Sequence, residues 1–135
     1  MRPSLFIIFL MNTANVTYQI PHSKLEVKYP ENIALEIKNP IEDFSLLFFK
    51  NEGTDILSLY VGNHPLLSYK EDEYKKVRII NKLSHRCLKV RDFINECFIE
   101  LGTEFPRFVH YSYKNSKDVS YLAEIIISSL KLTDK

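Results

Sequence analysis

The chain has 135 residues, of which 45% are hydrophobic and 26% are charged, and it contains only 3 glycines. This composition is typical of one globular domain and excludes a disordered or low-complexity protein. Its 18 Lys and Arg residues nearly balance 17 Asp and Glu residues. The chain therefore has no basic field of the kind that attracts nucleic acid or acidic lipid, and we expect neither as a partner.

The first residues form a short apolar segment that has two interpretations. Met1 and Arg2 precede an apolar run at 5–11 (LFIIFLM), and small or polar residues follow at 12–15. This order resembles a signal peptide at residues 1–16, which predicts a periplasmic or secreted protein. The run is far shorter than the roughly 20 residues of a membrane-spanning helix, so we expect no integral membrane span. The alternative is a cytoplasmic protein in which the run is a buried strand; we favour export.

The next segments alternate apolar with polar or charged residues, which predicts strands. Four such segments follow one another in the chain: 25–29 (LEVKY), 33–38 (IALEIK), 44–50 (FSLLFFK) and 56–61 (ILSLYV). Turn residues Pro30 and Asn32 join the first two as a hairpin, and 51–55 (NEGTD) joins the last two. Residues 62–65 (GNHP) then break the sheet. A charged loop at 70–76 (KEDEYKK) leads to a further strand at 77–82.

Residues 84–101 fit two structures. Apolar residues recur there at spacings of three and four, and Gly102 stands where a helix would end, so we favour a helix over 91–101. The alternative is two strands that turn near Asp92 and place Cys87 opposite Cys97, where a disulfide can form. A helix would separate these two cysteines by about 15 Å along its axis, which is too far for a bond.

The last third of the chain predicts a strand at 105–113 (FPRFVHYSY) and an amphipathic helix at 118–132. The apolar stripe of this helix needs a sheet to cover it. We therefore predict an α+β fold for residues 17–135 as a single domain. Its antiparallel sheet has about five to seven strands and is packed by the C-terminal helix and by the second helix near residues 91–101.

The order of these elements resembles the PsbP/Mog1-like group of small α+β domains, in which an antiparallel sheet lies between helices. Four segments carry the resemblance: 25–30 (LEVKYP), 56–62 (ILSLYVG), 108–114 (FVHYSYK) and 122–132 (LAEIIISSLKL). The resemblance implies a non-enzymatic binding or assembly protein, and some bacterial members of the group are exported or act as adaptors of secretion systems. It includes no functional motif, so it implies no site residue.

No motif in the chain predicts a reaction. The sequence has no Ser nucleophile elbow, no Gly-rich phosphate loop and no histidine pair with zinc-ligand spacing, so we predict no cofactor and no metal site. His110 shares a strand face with Phe108 and Ser112, where a structural histidine is the favoured interpretation. Arg107, Tyr111, Tyr113 and Lys114 fit a basic, aromatic platform for single-stranded nucleic acid. The alternative is that the tyrosines face a helix, and we favour it because the net charge is only +1.

The function that remains is an exported, non-catalytic protein that binds another protein. A toxin or effector that it inhibits as an immunity protein is one such partner, and a component of a secretion system is another. The candidate partner-binding residues lie in loops near strand ends, where recognition groups are common: Tyr60, Asn63, His64, Glu71, Asp72 and Glu73. Two alternatives stay open, a small hydrolase or lyase that uses His64 or His110 with a distant carboxylate, and a carrier of an apolar ligand.

Overall fold

The computed structural model describes residues 15–38, 44–91 and 94–133, and the predicted signal peptide lies almost entirely outside them. Within these ranges the chain forms ten strands, a 3-10 turn at Glu71–Glu73 and one α-helix. The strands are β1 (Asn15–Gln19), β2 (Leu25–Pro30), β3 (Ala34–Lys38), β4 (Phe44–Asn51), β5 (Thr54–Gly62), β6 (Lys76–Ile80), β7 (Leu83–Arg91), β8 (Ile94–Glu100), β9 (Phe108–Lys114) and β10 (Lys131–Leu132). The helix α1 spans Lys117–Ile127 and precedes β10.

Seven strands form one antiparallel sheet in the order β3-β4-β5-β9-β8-β7-β6. Successive side chains of a strand point to opposite faces, so the pairing register defines two faces. We call the face with Leu59 and Val109 the helix face. The opposite face, with Tyr60 and His110, is called the far face.

The remaining strands form a small antiparallel sheet in the order β1-β2-β10. Helix α1 lies between the two sheets, in contact with β2 on one side and with β5 and β9 on the other. Its buried residues Ala123, Ile126 and Ile127 pack with Leu25 and Val27 of β2 in one hydrophobic core. Burying these apolar side chains is the main force that holds the two sheets and the helix together.

The predicted C-terminal helix is present, but it ends at Ile127 rather than at residue 132. Residues 128–130 turn the chain, and Lys131–Leu132 then pairs with β2 as β10. The predicted hairpin between 25–29 and 33–38 is wrong, because β2 pairs with β1 and β10 whereas β3 pairs with β4. Alternation identifies a strand but does not identify its neighbour, and here the turn at 30–33 leads from one sheet into the other.

The predicted helix near residues 91–101 is also wrong. Strands β7 and β8 form an antiparallel pair in which Cys87 lies opposite Cys97, and a disulfide joins the two. The sequence resembled a helix because β8 is buried on both faces. Cys97 and Ile99 enter the core from the helix face, whereas Phe98 is buried on the far face. A strand covered on both sides loses its alternating pattern.

Opening the Cys87–Cys97 disulfide is expected to lower the free energy of unfolding by about 2 to 3 kcal/mol, since the bond closes a short loop and restricts the unfolded chain. The two cysteines are 10 residues apart. Urea unfolding with and without a phosphine reductant measures the effect. A variant with serine at both positions is the control, and its midpoint should not respond to the reductant. A wild-type midpoint equally insensitive to reductant would contradict the prediction.

Candidate binding surface

The order of the large sheet places a long connection across one of its faces. Strands β5 and β6 follow each other in the chain, yet β9, β8 and β7 lie between them in the sheet. Residues 63–75, which we call the crossing segment, make this connection. The backbone N–H of Ser68 donates to Glu96 Oε2 at 3.1 Å, and the Tyr74 ring packs edge-on against Phe98 at 5.3 Å. Because Glu96 and Phe98 point to the far face, the crossing segment covers that face.

A histidine and a carboxylate meet under the crossing segment. His110 Nε2 lies 2.5 Å from Glu96 Oε2, and the two side chains are 17% and 3% exposed. Burial alone would raise the pKa of the Glu96 carboxyl, but hydrogen bonds from His110 and Ser68 outweigh it and hold that pKa below its usual value. The predicted structural histidine therefore has a specific partner, a buried carboxylate from the neighbouring strand.

Tyr74 fixes the second half of the crossing segment. Its side chain is fully buried, and its hydroxyl accepts a hydrogen bond from the Tyr69 N–H at 3.3 Å. Burial, together with the negative charge of the nearby Glu96, raises the pKa of Tyr74 to about 12. The guanidinium of Arg86 lies over the Phe98 ring and donates to the carbonyl of Tyr74. These contacts hold the segment against β7 and β8.

Two predicted binding residues, Tyr60 and Asn63, fix the first half of the segment instead of facing solvent freely. The Tyr60 ring stacks on Phe44 at 5.8 Å, and its hydroxyl accepts the His64 N–H at 2.8 Å. The packing is close, since a Cβ at Gly62 would lie 2.5 Å from the Tyr60 hydroxyl oxygen. This position therefore requires glycine.

Asn63 ties the segment to the loop between β8 and β9. Its side-chain amide donates to the Glu104 carbonyl at 3.3 Å, and its side-chain oxygen accepts the Arg107 N–H at 2.9 Å. Together with Tyr60 near the start of the crossing segment and Tyr74 near its end, these bonds hold the segment at several points along its length. Its backbone is therefore ordered before any partner arrives.

The crossing segment exposes several side chains, and six of them form the set that we call the ridge; Ser68, Lys70 and Lys75 are exposed beside them. The ridge contains four of the six predicted binding residues, all exposed, and two large apolar residues that the sequence analysis did not select. Of these two, Leu66 is 89% exposed and Tyr69 is 45% exposed. The members of the ridge are His64, Leu66, Tyr69, Glu71, Asp72 and Glu73. The sequence feature that could have identified Leu66 and Tyr69 is the presence of large apolar side chains in a loop.

A second polar network lies on the helix face. Arg78 donates to Glu124 Oε1 at 2.9 Å and to the Tyr111 hydroxyl at 3.3 Å. Because a guanidinium can only donate, the Tyr111 hydroxyl proton points to His85 Nδ1, 2.7 Å away. The Tyr113 hydroxyl donates to Glu124 Oε2 at 2.5 Å. Tyr111 and Tyr113 thus lie on the helix face, and Tyr113 contacts helix α1 through Glu124.

Open clefts lie elsewhere on the surface. Four of them, of about 140 to 420 Å³, have linings that include neither His110 nor Glu96. Within the described residues, no three His, Cys, Asp or Glu side chains gather in a way that could hold a metal ion. In the same part of the chain, no helix is long and apolar enough to cross a membrane.

Comparison with known proteins gives one structural similarity that we report. A solved structure from Bacteroides thetaiotaomicron VPI-5482 is similar to this chain with a TM-score of 0.49 and 13% sequence identity. The similarity covers 88% of this chain and 48% of that one, so the chain spans about half the length of that structure. No family model and no curated protein matches the chain.

Proposed function

We propose that this chain is a non-catalytic protein that binds another protein through the ridge. One observation supports this function above the others: a segment anchored at Tyr60, Asn63 and Tyr74 presents Leu66 and Tyr69 to solvent beside three carboxylates. An ordered backbone loses little conformational entropy on binding, and exposed tyrosine is a common interface anchor. The matching partner surface has an apolar depression next to basic residues.

The two forms of this function that we favour are inhibition of a toxin or effector, as an immunity protein does, and an adaptor role in a secretion system. Both use a rigid contact surface and need no cofactor. The three carboxylates at 71–73 follow the apolar residues and are flanked by the exposed Lys70 and Lys75. Basic groups on a partner can pair with these carboxylates, because complementary charge speeds association and sets the orientation. The acidic residues 71–73 are all exposed and free to meet such a partner.

We also propose that the protein is exported to a periplasm or secreted. The Cys87–Cys97 disulfide supports this location, because such bonds form and persist in oxidising compartments. Host cells are quenched in acid and the denatured proteins are labelled with a maleimide-polymer conjugate, with and without prior reduction, which reports the state of the two thiols. Labelling of both cysteines without prior reduction would exclude the proposed compartment.

Replacing Leu66 and Tyr69 with serine is expected to weaken partner binding at least tenfold, because these two side chains supply the apolar centre of the ridge. The purified chain serves as bait in an extract of its host, and the captured protein is then purified and titrated by calorimetry. Charge reversal at Glu71, Asp72 and Glu73 should reduce the association rate and its dependence on salt.

The matched control for this titration is Lys24→Glu, an exposed change in the turn between β1 and β2, far along the chain from the ridge. It should bind the partner with unchanged affinity. If the serine variant keeps full affinity for the purified partner, the ridge is not the binding surface.

The His110–Glu96 pair favours a second candidate, a small hydrolase or lyase with a histidine–carboxylate site. The 2.5 Å contact has the arrangement in which a carboxylate orients a catalytic histidine. It ranks second because the carboxylate is buried under the crossing segment, whereas a reacting group needs room for a substrate. Turnover of an ester, amide or sugar substrate that disappears in His110→Gln but persists in His64→Gln would establish this candidate.

The carrier of an apolar ligand ranks third. A ligand held between sheet and helix would need the space that Leu59, Val109, Ala123 and Ile126 fill in this structure. All four side chains are buried in contact with the rest of the core. The region that would hold the ligand is therefore packed with the protein's own side chains.

A further inference from the structure

Strand β6 forms one edge of the large sheet, and it combines free backbone groups with exposed apolar side chains. In the described residues its only ladder neighbour is β7. On the far face, Val77 is 54% exposed and Ile79 is 67% exposed. An edge of this kind is a template for another extended chain.

The pairing register shows which backbone groups are free. The turn at Asn81 and Lys82, both with positive φ, joins β6 and β7 as a two-residue hairpin, so the pair Ile80 and Leu83 that flanks it exchanges hydrogen bonds. Hydrogen-bonded and non-bonded pairs alternate along an antiparallel ladder. The N–H and C=O groups of Val77 and Ile79 therefore point away from β7, toward the open edge.

The disulfide supports this assignment independently. The Cα atoms of Cys87 and Cys97 are 4.1 Å apart, the short spacing of a non-bonded pair between β7 and β8. The backbone groups of Cys87 must then bond in the other direction, to Lys76 of β6. Lys76 and Arg78 thus use their backbone groups inside the sheet, whereas Val77 and Ile79 do not.

The helix face of the same edge is basic. A cleft of about 140 Å³ lies over the disulfide there, and its lining includes Lys76, Arg78 and Lys89 but no carboxylate. Arg78 is paired with Glu124, whereas Lys76 and Lys89 form no ion pair with any described residue. The edge therefore has an apolar side and a positively charged side.

We propose that β6 binds an extended segment of a partner protein in which acidic and apolar residues alternate. The segment adds to the sheet as an eighth strand and bonds to the free groups of Val77 and Ile79. Its apolar side chains lie beside these two residues on the far face, and its carboxylates lie beside Lys76 and Lys89 on the helix face. Main-chain bonds supply affinity, and alternate side chains supply specificity.

The charges argue against a second copy of this chain as the occupant. Two antiparallel β6 strands centred on Val77 would place Lys76 of one copy opposite Arg78 of the other, and like charges opposite each other destabilise a strand pair. An acidic segment has the complementary charge. No residue belongs to both the ridge and the β6 edge, so the residues of each can be replaced with those of the other left intact.

The test uses a capped, fluorescein-labelled synthetic peptide in which glutamate alternates with valine and isoleucine. Fluorescence anisotropy measures its binding to the full chain, and amide chemical shifts locate the binding site. We expect saturable binding, at least tenfold tighter than for a scrambled peptide of the same composition, with the largest shifts at 76–80. N-methylation at every second residue removes the N–H donors from one edge of the extended peptide. Two peptides cover the two choices, the odd and the even positions, and one of them should no longer bind.

Variants of the chain then separate the two sides of the edge. Ile79→Lys and the pair Lys76→Glu with Lys89→Glu should each weaken binding at least fivefold, whereas Lys24→Glu should not change it. The ridge variant with serine at Leu66 and Tyr69 should bind the peptide normally. Lys24, Lys76, Ile79 and Lys89 lie outside the ridge. If the β6 variants bind the peptide normally, the ridge proposal is therefore unaffected.

Three results would overturn the proposal. The scrambled peptide could bind as tightly as the alternating one, which would show charge attraction without strand addition. Both N-methylated peptides could bind normally, which would also show that the peptide does not add as a strand. Sedimentation could show a dimer of the chain that Ile79→Lys dissociates, which would make a second copy the occupant of the edge.

Discussion

Replacing Tyr74 with alanine is expected to lower the free energy of unfolding by about 3 to 5 kcal/mol, the range for large aromatic side chains removed from a core. Tyr74 is fully buried, packs on Phe98 and receives the Tyr69 N–H. The variant should also loosen the crossing segment, because no other large side chain of that segment is buried to this extent within the described residues. Urea unfolding measures the first effect, and hydrogen exchange of the amides at 66–75 measures the second.

The control for this substitution is Tyr74→Phe. It keeps the ring against Phe98 and removes only the hydroxyl, so it should cost about 1 kcal/mol and leave the segment protected from exchange. If alanine and phenylalanine have equal effects, ring packing is not what holds the crossing segment on the sheet. If alanine changes exchange without changing global unfolding, the segment opens independently of the rest of the fold.

Lowering the pH from 7 to 4 is expected to destabilise the fold through His85. Burial, assisted by the positive charge of Arg78, lowers the pKa of His85 to about 4, whereas the unfolded chain keeps a value near 6.5. The unfolded state therefore takes up the proton first as the pH falls. The stabilising contribution of neutral His85 is complete above pH 6.5 and is lost between about pH 6.5 and pH 4, a change of about 2 to 3 kcal/mol.

The variant His85→Gln tests this assignment, since an amide can still accept the Tyr111 hydroxyl proton but does not titrate. Urea unfolding at half-unit pH steps should show a weaker dependence between pH 6.5 and 4.5 in the variant than in the wild type. His22, His64 and His110 are present in both proteins, so the difference between the two curves reports His85 alone. Parallel curves would contradict the prediction.

The loss of stability should continue below pH 4.5 for a separate reason. Although burial opposes it, the hydrogen bonds from His110 and Ser68 lower the pKa of Glu96. A carboxylate with a lowered pKa stabilises the fold above the pKa of the unfolded chain, and this contribution disappears as the pH falls through the folded value. His85 and Glu96 thus act in successive pH ranges, which is why His85→Gln changes only the upper range.

The parts of the fold that the sequence predicts well are those with one buried face. Strands β4, β5 and β9 alternate clearly, and α1 has a single apolar stripe, so local pattern was sufficient for them. Strand β8 was mistaken for a helix because Tyr74 covers Phe98 from the far side. That contact joins residues 24 positions apart, and no pattern local to β8 can reveal it.

The candidate surface was predictable only in part, because local sequence features indicate exposed loop residues but do not reveal contacts between distant segments. Turn chemistry and charge pointed to His64 and to the three carboxylates at 71–73, which the structure places on one exposed segment. The sequence could not show that this segment crosses the sheet, because the crossing depends on β9 entering the sheet beside β5. It also could not show that Tyr60 and Asn63 are occupied by internal hydrogen bonds.

The small sheet places the two ends of the described chain on either side of one strand. Strand β2 is flanked by β1, which it follows closely, and by β10, where Leu25 lies opposite Leu132. During synthesis, β2 can acquire its second neighbour only after residue 132 has left the ribosome. Closure of this sheet therefore has to wait for a segment more than 100 residues after β2, and a nascent chain halted before β10 keeps one edge of β2 unpaired.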